Sequence, residues 1–128
     1  MKKFDEWNKI KRDLESSIKI GTFPKEGEVW MTYYGLNLGY EQDGSKDYFS
    51  RPILVIKKFN NKMFWVVPLS TKQKKIDFYF NFTDHNGQNV SAILAQLKLI
   101  SVKRMSRKMY QIDGALLARI KYLIIKLI

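Results

Sequence analysis

Short apolar runs separated by turn residues fill the chain from Glu28 to Ile112, and this pattern most restricts the possible folds. Runs rich in β-branched and aromatic residues with this spacing are typical of strands joined by close hairpins. Strands do not alternate with long helical segments, so a doubly wound parallel sheet is not expected. We predict a mainly β fold, a small barrel, with the strands Val29–Tyr34, Pro52–Phe59, Lys62–Leu69, Ile76–Phe82, Val90–Ile100 and Met109–Ile112.

Three connections between these strands carry further information. Asn60 and Asn61 stand between two apolar runs, which predicts a tight hairpin turn because asparagine tolerates positive φ. The segment Thr83–Asn89 predicts a second turn. The connection Gly35–Ser50 is unusually long for so small a domain, and such loops are usually functional.

Amphipathic helices are predicted on both sides of the strand region. The first, Phe4–Ile20, has apolar residues at spacings of three and four, and Gly21 and Pro24 end it. We expect it to pack on the domain or on a second copy. The second begins after Asp113 as N-cap and has the apolar stripe Leu116, Leu117, Ile120, Leu123, Ile124 and Leu127. We therefore predict an N-terminal helix and linker over 1–24 and the main domain over 25–128.

The composition excludes several classes of protein. The chain has no cysteine, so disulfide scaffolds, thiol nucleophiles and thiolate metal sites are excluded. The first residues contain no apolar segment of the signal-peptide type. The most apolar stretch, Ala115–Ile128, is too short and too charged to span a bilayer. These features predict a soluble, cytoplasmic protein without membrane contact.

Positive charge is concentrated in the second part of the chain. Residues 1–50 hold 8 Lys/Arg against 9 Asp/Glu, whereas residues 51–128 hold 15 against 3, within a total net charge of +11. A surface built from the second part would attract a polyanion, and the high net charge is in the range of nucleic-acid binders. General solubility is the alternative reading of the same charge.

Few residues are suited to conventional hydrolytic chemistry. The single histidine, His85, lies in a predicted turn, so a two-histidine ribonuclease is excluded. Carboxylates are too sparse for a two-metal nuclease, and no metal or cofactor is expected. RNA carries its own nucleophile, the 2′-hydroxyl. A guanidinium that binds two phosphate oxygens and a neighbouring hydroxyl could suffice to promote its attack.

Five segments together resemble the MazF/PemK (Kid-like) family of toxins. They occur in the family's order and spacing, and they cover residues 25 to about 112. They are Glu26–Trp30 (EGEVW), Gly39–Gly44 (GYEQDG), Arg51–Ile56 (RPILVI), Val67–Thr71 (VPLST) and Leu94–Ile100 (LAQLKLI).

The resemblance implies both a fold and a function. Members have an SH3-like barrel that forms homodimers, here with extra N-terminal and C-terminal helices. They act as toxins of type II toxin–antitoxin systems and as metal-independent endoribonucleases. They cleave single-stranded RNA to 2′,3′-cyclic phosphate and 5′-hydroxyl ends. A cognate antitoxin protein blocks them by laying an extended, often acidic tail across the RNA groove.

Site residues follow from the resemblance and from the neighbouring charge. By position, Arg51 matches the family's catalytic arginine, Ser70 its catalytic threonine and Thr71 the hydroxyl residue beside it. The residues expected to bind RNA are Tyr40, Glu41, Gln42, Lys72, Lys74, Lys75, Gln96 and Lys98. Tyr40 is included as a loop aromatic suited to base stacking, and the lysines as phosphate-binding charges.

Some positions depart from the family pattern. Ser70 replaces the usual threonine, Ala95 stands where many members carry an acidic residue, and Ser101 stands where many carry aspartate. Lys98 replaces an arginine and so lacks the bidentate fork.

Alternatives remain open at this stage. Arg51 could instead form a surface salt bridge with Glu41 or Asp43. The same kind of barrel occurs in CcdB toxins, which bind gyrase without chemistry and act largely through the C-terminal helix. A non-catalytic RNA-binding barrel is the third possibility.

Overall fold

A computed structural model of the chain describes residues 23–33 and 50–128. The predicted helix Phe4–Ile20 and the predicted loop Gly35–Ser50, up to residue 49, lie outside these described residues. The described part forms a mainly β fold that ends in one helix, as predicted. Its elements are β1 (Glu28–Tyr33), β2 (Ser50–Lys58), β3 (Met63–Ser70), β4 (Tyr79–Thr83), β5 (Asn89–Ile93), a 3-10 turn (Leu94–Gln96), β6 (Lys98–Ser101), a 3-10 turn (Val102–Arg104), β7 (Met105–Gln111) and α1 (Gly114–Leu127).

The described strands pair antiparallel in the order β4-β5-β3-β2-β1-β7, with β6 also pairing with β3. One edge of β3 is therefore shared. Its first half, Met63–Val66, pairs with β6, and its last two residues, Leu69 and Ser70, pair with β5. The 3-10 turn Leu94–Gln96 lies between these two pairings. The predicted single strand Val90–Ile100 is consequently wrong, because the chain has to turn there to change its position along β3.

The two faces of the sheet bury separate core clusters, as the alternation of side chains along strands requires. The first cluster includes Val29, Leu54 and Val67 and is covered by α1 through Ile120 and Ile124. The second cluster includes Trp30, Ile53, Phe64, Val66 and Met105, with Phe23 packed against it. The predicted stripe of α1 is confirmed except at Leu127, which is 42% exposed at the end of the helix.

Two predicted local structures differ in detail. Asn60 and Asn61 do not form a two-residue turn with positive φ. Instead the Asn60 side chain accepts hydrogen bonds from the backbone N–H groups of Lys62 and Met63, at 2.7 and 2.9 Å, and closes a longer loop.

Asp113 occupies the N-cap of α1 as predicted, but its side chain makes no capping bond. Its carbonyl accepts the N–H of Leu117.

The EGEVW segment is a structural junction. The Glu26 carboxylate accepts the backbone N–H of Lys58 at 2.9 Å and pairs with the Lys121 ammonium of α1 at 2.8 Å. Gly27 has φ +87°, and an added Cβ would lie 3.3 Å from the Leu117 side chain. The segment therefore connects the end of β2 and the helix α1 to the start of β1.

The buried Glu28 carboxylate belongs to the same junction. It accepts the indole N–H of Trp30 and the backbone N–H of Lys25, both at 2.9 Å, and pairs with Lys108 of β7 at 3.2 Å. Burial alone would raise the pKa of Glu28, but these hydrogen bonds and the lysine charge outweigh it, so the pKa is lowered. The charged carboxylate thus joins β1 to β7.

Candidate functional site

Arg51 lies near the start of β2, directly opposite Thr32 of β1. The Thr32 hydroxyl is completely buried and donates a hydrogen bond to the Arg51 carbonyl at 2.9 Å. The Arg51 residue is partly buried, and its Nε atom is fully buried without a hydrogen-bond partner among the described residues. The backbone of Arg51 is therefore anchored, while its Nε is a donor that the described part of the protein leaves unused.

Ser70 is the last residue of β3, the strand next to β2. The recorded pairing between these strands ends with Ile53 opposite Pro68, and this register extended by two residues would set Arg51 opposite Ser70. Residues opposite one another in an antiparallel pair project from the same face. Arg51 and Ser70 thus lie at ends of neighbouring strands, and the extended register assigns them to one face.

Two further polar residues extend this arrangement across the sheet. Ser70 pairs with Ser91 of β5, and Ser91 pairs with Asn81 of β4. The Ser91 side chain is completely buried, and its hydroxyl donates a hydrogen bond to the side-chain amide oxygen of Asn81. We call Thr32, Arg51, Ser70, Ser91 and Asn81 the polar row. It continues the face of the second core cluster, because Thr32 is two residues from Trp30 and Arg51 is two residues from Ile53, and residues two apart along a strand share a face.

Ser91 and Asn81 are not among the site residues predicted from the sequence. A signal was present in the runs YFNFT and NVSAI, where a polar side chain interrupts an otherwise apolar strand. A polar residue within one strand indicates a site only when the pairing register places it beside a polar residue of a neighbouring strand. The sequence of a single strand does not contain that register.

The connection from β3 to β4 carries the predicted basic residues. Thr71, Lys72, Lys74 and Lys75 are all exposed there, and we call residues 71–78 the basic loop. The Lys72 backbone N–H donates to the Ser70 hydroxyl oxygen at 3.1 Å. The Lys74 carbonyl accepts from the Asn81 amide at 3.4 Å, and the Lys74 ammonium lies 5.4 Å from the centre of the Tyr79 ring. The basic loop is thus attached to two members of the polar row, through Lys72 to Ser70 and through Lys74 to Asn81.

Gln96 and Lys98 lie beside β3, on the edge that it shares with β5 and β6. Gln96 is exposed in the 3-10 turn, and Lys98 of β6 is opposite Val66. Lys98 therefore projects from the face of the polar row, displaced along β3 by four residues, roughly 13 Å. Ala95 is exposed in the same turn and presents only a methyl group.

The other candidate residues lie away from the polar row or outside the described residues. Tyr40, Glu41 and Gln42 lie outside the described residues. His85 stacks on Tyr110 with ring centres 4.2 Å apart, so it holds the β4–β5 hairpin to β7. Within residues 23–33 and 50–128, no group of three His, Cys, Asp or Glu residues could hold a metal ion. The one helix of that part is not long and apolar enough to cross a membrane.

The architecture is that of small toxins with known structures. MazF from Deinococcus radiodurans superposes with a TM-score of 0.64 at 16% identity, covering 84% of this chain and 97% of that one. An endoribonuclease from a mycobacterial species gives a TM-score of 0.60 at 12% identity, covering 82% and 90%. A mycobacterial endoribonuclease in complex with its cognate antitoxin gives 0.61 at 13% identity, covering 80% and 92%. At these identities the likeness defines the fold.

The sequence itself identifies the family. Residues 25–128 match the family described as PemK-like, MazF-like toxins of type II toxin–antitoxin systems. The chain belongs to this family. Comparison with curated protein sequences gives no match.

Proposed function

We propose that the protein is a metal-independent endoribonuclease that cleaves single-stranded RNA by attack of a 2′-hydroxyl on the neighbouring phosphate. The observation that carries this proposal is that Arg51 and Ser70 lie at ends of adjacent strands, where the register extended from Ile53 and Pro68 assigns them to one face and the basic loop follows Ser70. Family membership supports the same reaction, and so does the description of similar folds as endoribonucleases.

In the proposed reaction, the O2′–P bond forms and the P–O5′ bond breaks. The 2′-hydroxyl loses its proton and the departing 5′-oxygen gains one, so the products are a 2′,3′-cyclic phosphate and a 5′-hydroxyl. Negative charge develops on the non-bridging oxygens of the pentacoordinate phosphorane. A guanidinium at Arg51 binds two of these oxygens and stabilises that charge.

Ser70 supplies a hydroxyl donor to the same phosphate. Its oxygen accepts the Lys72 backbone N–H at 3.1 Å, which uses a lone pair and leaves its O–H group available as a donor. We assign to it a hydrogen bond to a phosphate oxygen or to the attacking 2′-oxygen. Thr71 is exposed directly after it and provides a second hydroxyl at the edge of the site. Lys72, Lys74 and Lys75 hold the flanking phosphates.

The donor chemistry of the polar row supports a reaction without a metal. Its groups are a guanidinium, hydroxyls and a carboxamide, whereas Mg²⁺ and Ca²⁺ sites are built mainly from carboxylate and carbonyl oxygens. In this scheme Arg51 provides the positive charge that a metal would otherwise supply.

The first prediction concerns Arg51. Purified protein incubated with a pool of single-stranded RNA in EDTA is expected to produce fragments with 5′-hydroxyl ends. Arg51→Ala should lower the cleavage rate by about a hundredfold to a thousandfold, the usual effect of removing one donor to a developing oxyanion. The measurement is the initial rate of fragment formation, together with the chemical nature of the new ends.

Arg119→Ala is the matched control, because Arg119 is exposed on α1, away from the polar row. It should cleave at the wild-type rate. Equal rates for Arg51→Ala and wild type would remove Arg51 from the mechanism. RNA binding without any cleavage by the wild type would favour the non-catalytic barrel.

We further propose that the toxin acts as a homodimer and that a cognate antitoxin neutralises it. The solved complex of a similar fold with its antitoxin supports the second partner. Exposed apolar residues of α1, Tyr122 and Ile125, are suited to a protein contact. The mass of the purified protein, measured alone and with the product of the adjacent reading frame, tests both statements. A monomer that binds no such product would contradict them.

A further inference from the structure

Asn81 combines exposure with a fixed orientation. The residue is exposed on β4, and its carboxamide is held from two sides. Its oxygen accepts the hydroxyl of Ser91, which is buried beneath the sheet surface, and its nitrogen donates to the Lys74 carbonyl at 3.4 Å. An exposed amide held in this way is preorganised for recognition, since little rotational freedom remains to be lost on binding.

Two hydrogen-bonding positions of this amide remain unused by these contacts. A carboxamide has two N–H donors and two oxygen lone pairs, and Ser91 and Lys74 occupy one of each. One N–H donor and one oxygen lone pair are therefore left for a ligand. A side-chain amide with this pair binds the adenine edge in bidentate fashion, through N6 and N7. On the Hoogsteen edge, adenine alone among the four bases offers a donor beside an acceptor, so a contact to N6 and N7 distinguishes it.

The position of Asn81 is suitable for a nucleobase next to the cleaved bond. Asn81 lies two strands from Ser70, across Ser91, which corresponds to roughly 10 Å at the usual strand spacing. Lys74 is held beside it, with its ammonium over the Tyr79 ring. A phosphate bound at Lys72 or Lys74 would therefore place its attached base over β4.

We propose that Asn81, fixed by Ser91, recognises a base beside the scissile linkage and selects adenine there. This inference rests on the proposed ribonuclease function and deepens it by naming a specificity-determining residue. Its chemistry is a bidentate hydrogen bond, so it acts on the choice of sequence more than on the rate of the reaction at the best site.

The test is the cleavage profile on a random single-stranded RNA pool, obtained by sequencing the 5′-hydroxyl ends. Wild type should enrich adenine at one fixed position within about two nucleotides of the cut, the reach set by two strand spacings. Asn81→Ala should reduce that enrichment by roughly tenfold, the usual discrimination of one bidentate contact. Ser91→Ala should reduce it partly, because the amide remains but is no longer fixed.

Asn86→Ala is the matched control. It makes the same change in the turn at the other end of the β4–β5 hairpin, and it should leave the profile unchanged. A profile of Asn81→Ala equal to that of wild type would overturn the proposal, even if the total rate falls, because Asn81 would then only hold the basic loop.

Binding separates failure of this inference from failure of the ribonuclease proposal. Short oligonucleotides that contain one adenine among uracils, or uracils alone, serve as probes in fluorescence anisotropy. If wild type does not cleave, a preference for the adenine probe that Asn81→Ala abolishes would still support base recognition. Equal affinity of wild type for both probes, or no RNA binding at all, would refute it.

Discussion

At the residue scale, the contacts around the polar row show which groups are structural and which remain available. Thr32 uses its hydroxyl entirely within the protein, on the Arg51 carbonyl. The guanidinium of Arg51 and the amide of Asn81 keep donors that no described residue uses in full. Buried hydroxyls therefore hold the backbone of Arg51 and the exposed amide of Asn81.

The Thr32 contact leads to a prediction about positioning. Thr32→Val keeps the shape of the side chain but removes the hydroxyl, leaving the Arg51 carbonyl without this partner. The free energy of unfolding should fall by about 1–3 kcal/mol, the usual cost of an unsatisfied buried group. RNA cleavage should also slow, because the backbone of Arg51 loses its anchor. Urea denaturation and initial cleavage rates measure the two effects.

Thr32→Ser retains the hydroxyl and serves as the control for this prediction. It should cleave RNA at nearly the wild-type rate, with only the small loss of stability expected from a missing methyl group. Wild-type cleavage by a destabilised Thr32→Val protein would show that the hydrogen bond stabilises the fold but does not position Arg51.

At the element scale, the β4–β5 hairpin is held to β7 by stacking between His85 and Tyr110. The turn itself is well formed. The Asp84 carboxylate accepts the backbone N–H groups of Asn86 and Gln88, at 2.9 and 2.8 Å, and Gly87 adopts φ +80°. Because Asn81 also lies on β4, the stacking between His85 and Tyr110 helps to fix the position of Asn81 at the edge of the polar row.

The same contact predicts a loss of stability at high pH. Burial, together with the negative charge of Asp84, raises the pKa of Tyr110 to about 12 from its ordinary value of 10.0. The folded protein thus favours the neutral phenol. The resulting stability is complete below pH 10 and is lost as the pH rises through 12. Two pKa units correspond to at most about 2.7 kcal/mol, and partial exposure reduces this value.

Comparison of wild type with Tyr110→Phe isolates this effect from the other residues that titrate at high pH. The free energy of unfolding of wild type minus that of Tyr110→Phe, measured in urea, should be constant below about pH 9.5 and should fall as the pH rises toward 12. A difference that does not vary with pH across this range would show that Tyr110 ionises as readily in the folded chain as in the unfolded one.

Most elements could be predicted from the sequence, because strand alternation and the stripe of α1 are local patterns. The prediction of one strand over Val90–Ile100 was wrong, because pairing with β3 determines where this segment turns, and pairing between distant strands is not a local pattern. Val90–Ile100 contains no Gly or Pro to mark a break, and only the change of partner along β3 explains the turn at Leu94–Gln96. For the same reason Arg51 and Ser70 were found from family motifs, whereas Asn81 and Ser91 emerged only from the register.

At the scale of the whole molecule, the charge distribution is the dominant feature. The part of the chain from Arg51 onward carries 15 Lys/Arg against 3 Asp/Glu, and three of these lysines lie in the basic loop. Lysines that contact phosphates release counterions when RNA binds, so affinity depends on salt. The exposed lysines of other surfaces should not contribute to this dependence.

The lysines of the basic loop lead to a prediction for RNA binding. The logarithm of the affinity of wild type for single-stranded RNA should fall linearly with the logarithm of salt concentration. The double variant Lys72→Ala/Lys75→Ala should reduce that slope by about 1.4, or roughly 0.7 for each lost contact with a single strand. Fluorescence anisotropy across a salt series measures it.

Lys62→Ala/Lys126→Ala removes the same charge from the β2–β3 loop and from the end of α1, where both lysines are exposed. Its slope should equal that of wild type. Equal slopes for the two double variants would mean that RNA senses only the total charge, without a preferred binding face.

The shared edge of β3 has a consequence for anything that covers Ser70. On one side β3 is bonded to β2, and on the other its two ends are bonded to β5 and β6. An incoming polypeptide therefore cannot extend the sheet at this strand through main-chain pairing. It has to lie over the side chains, as the proposed RNA substrate would, and the two would compete for the same cations and hydroxyls.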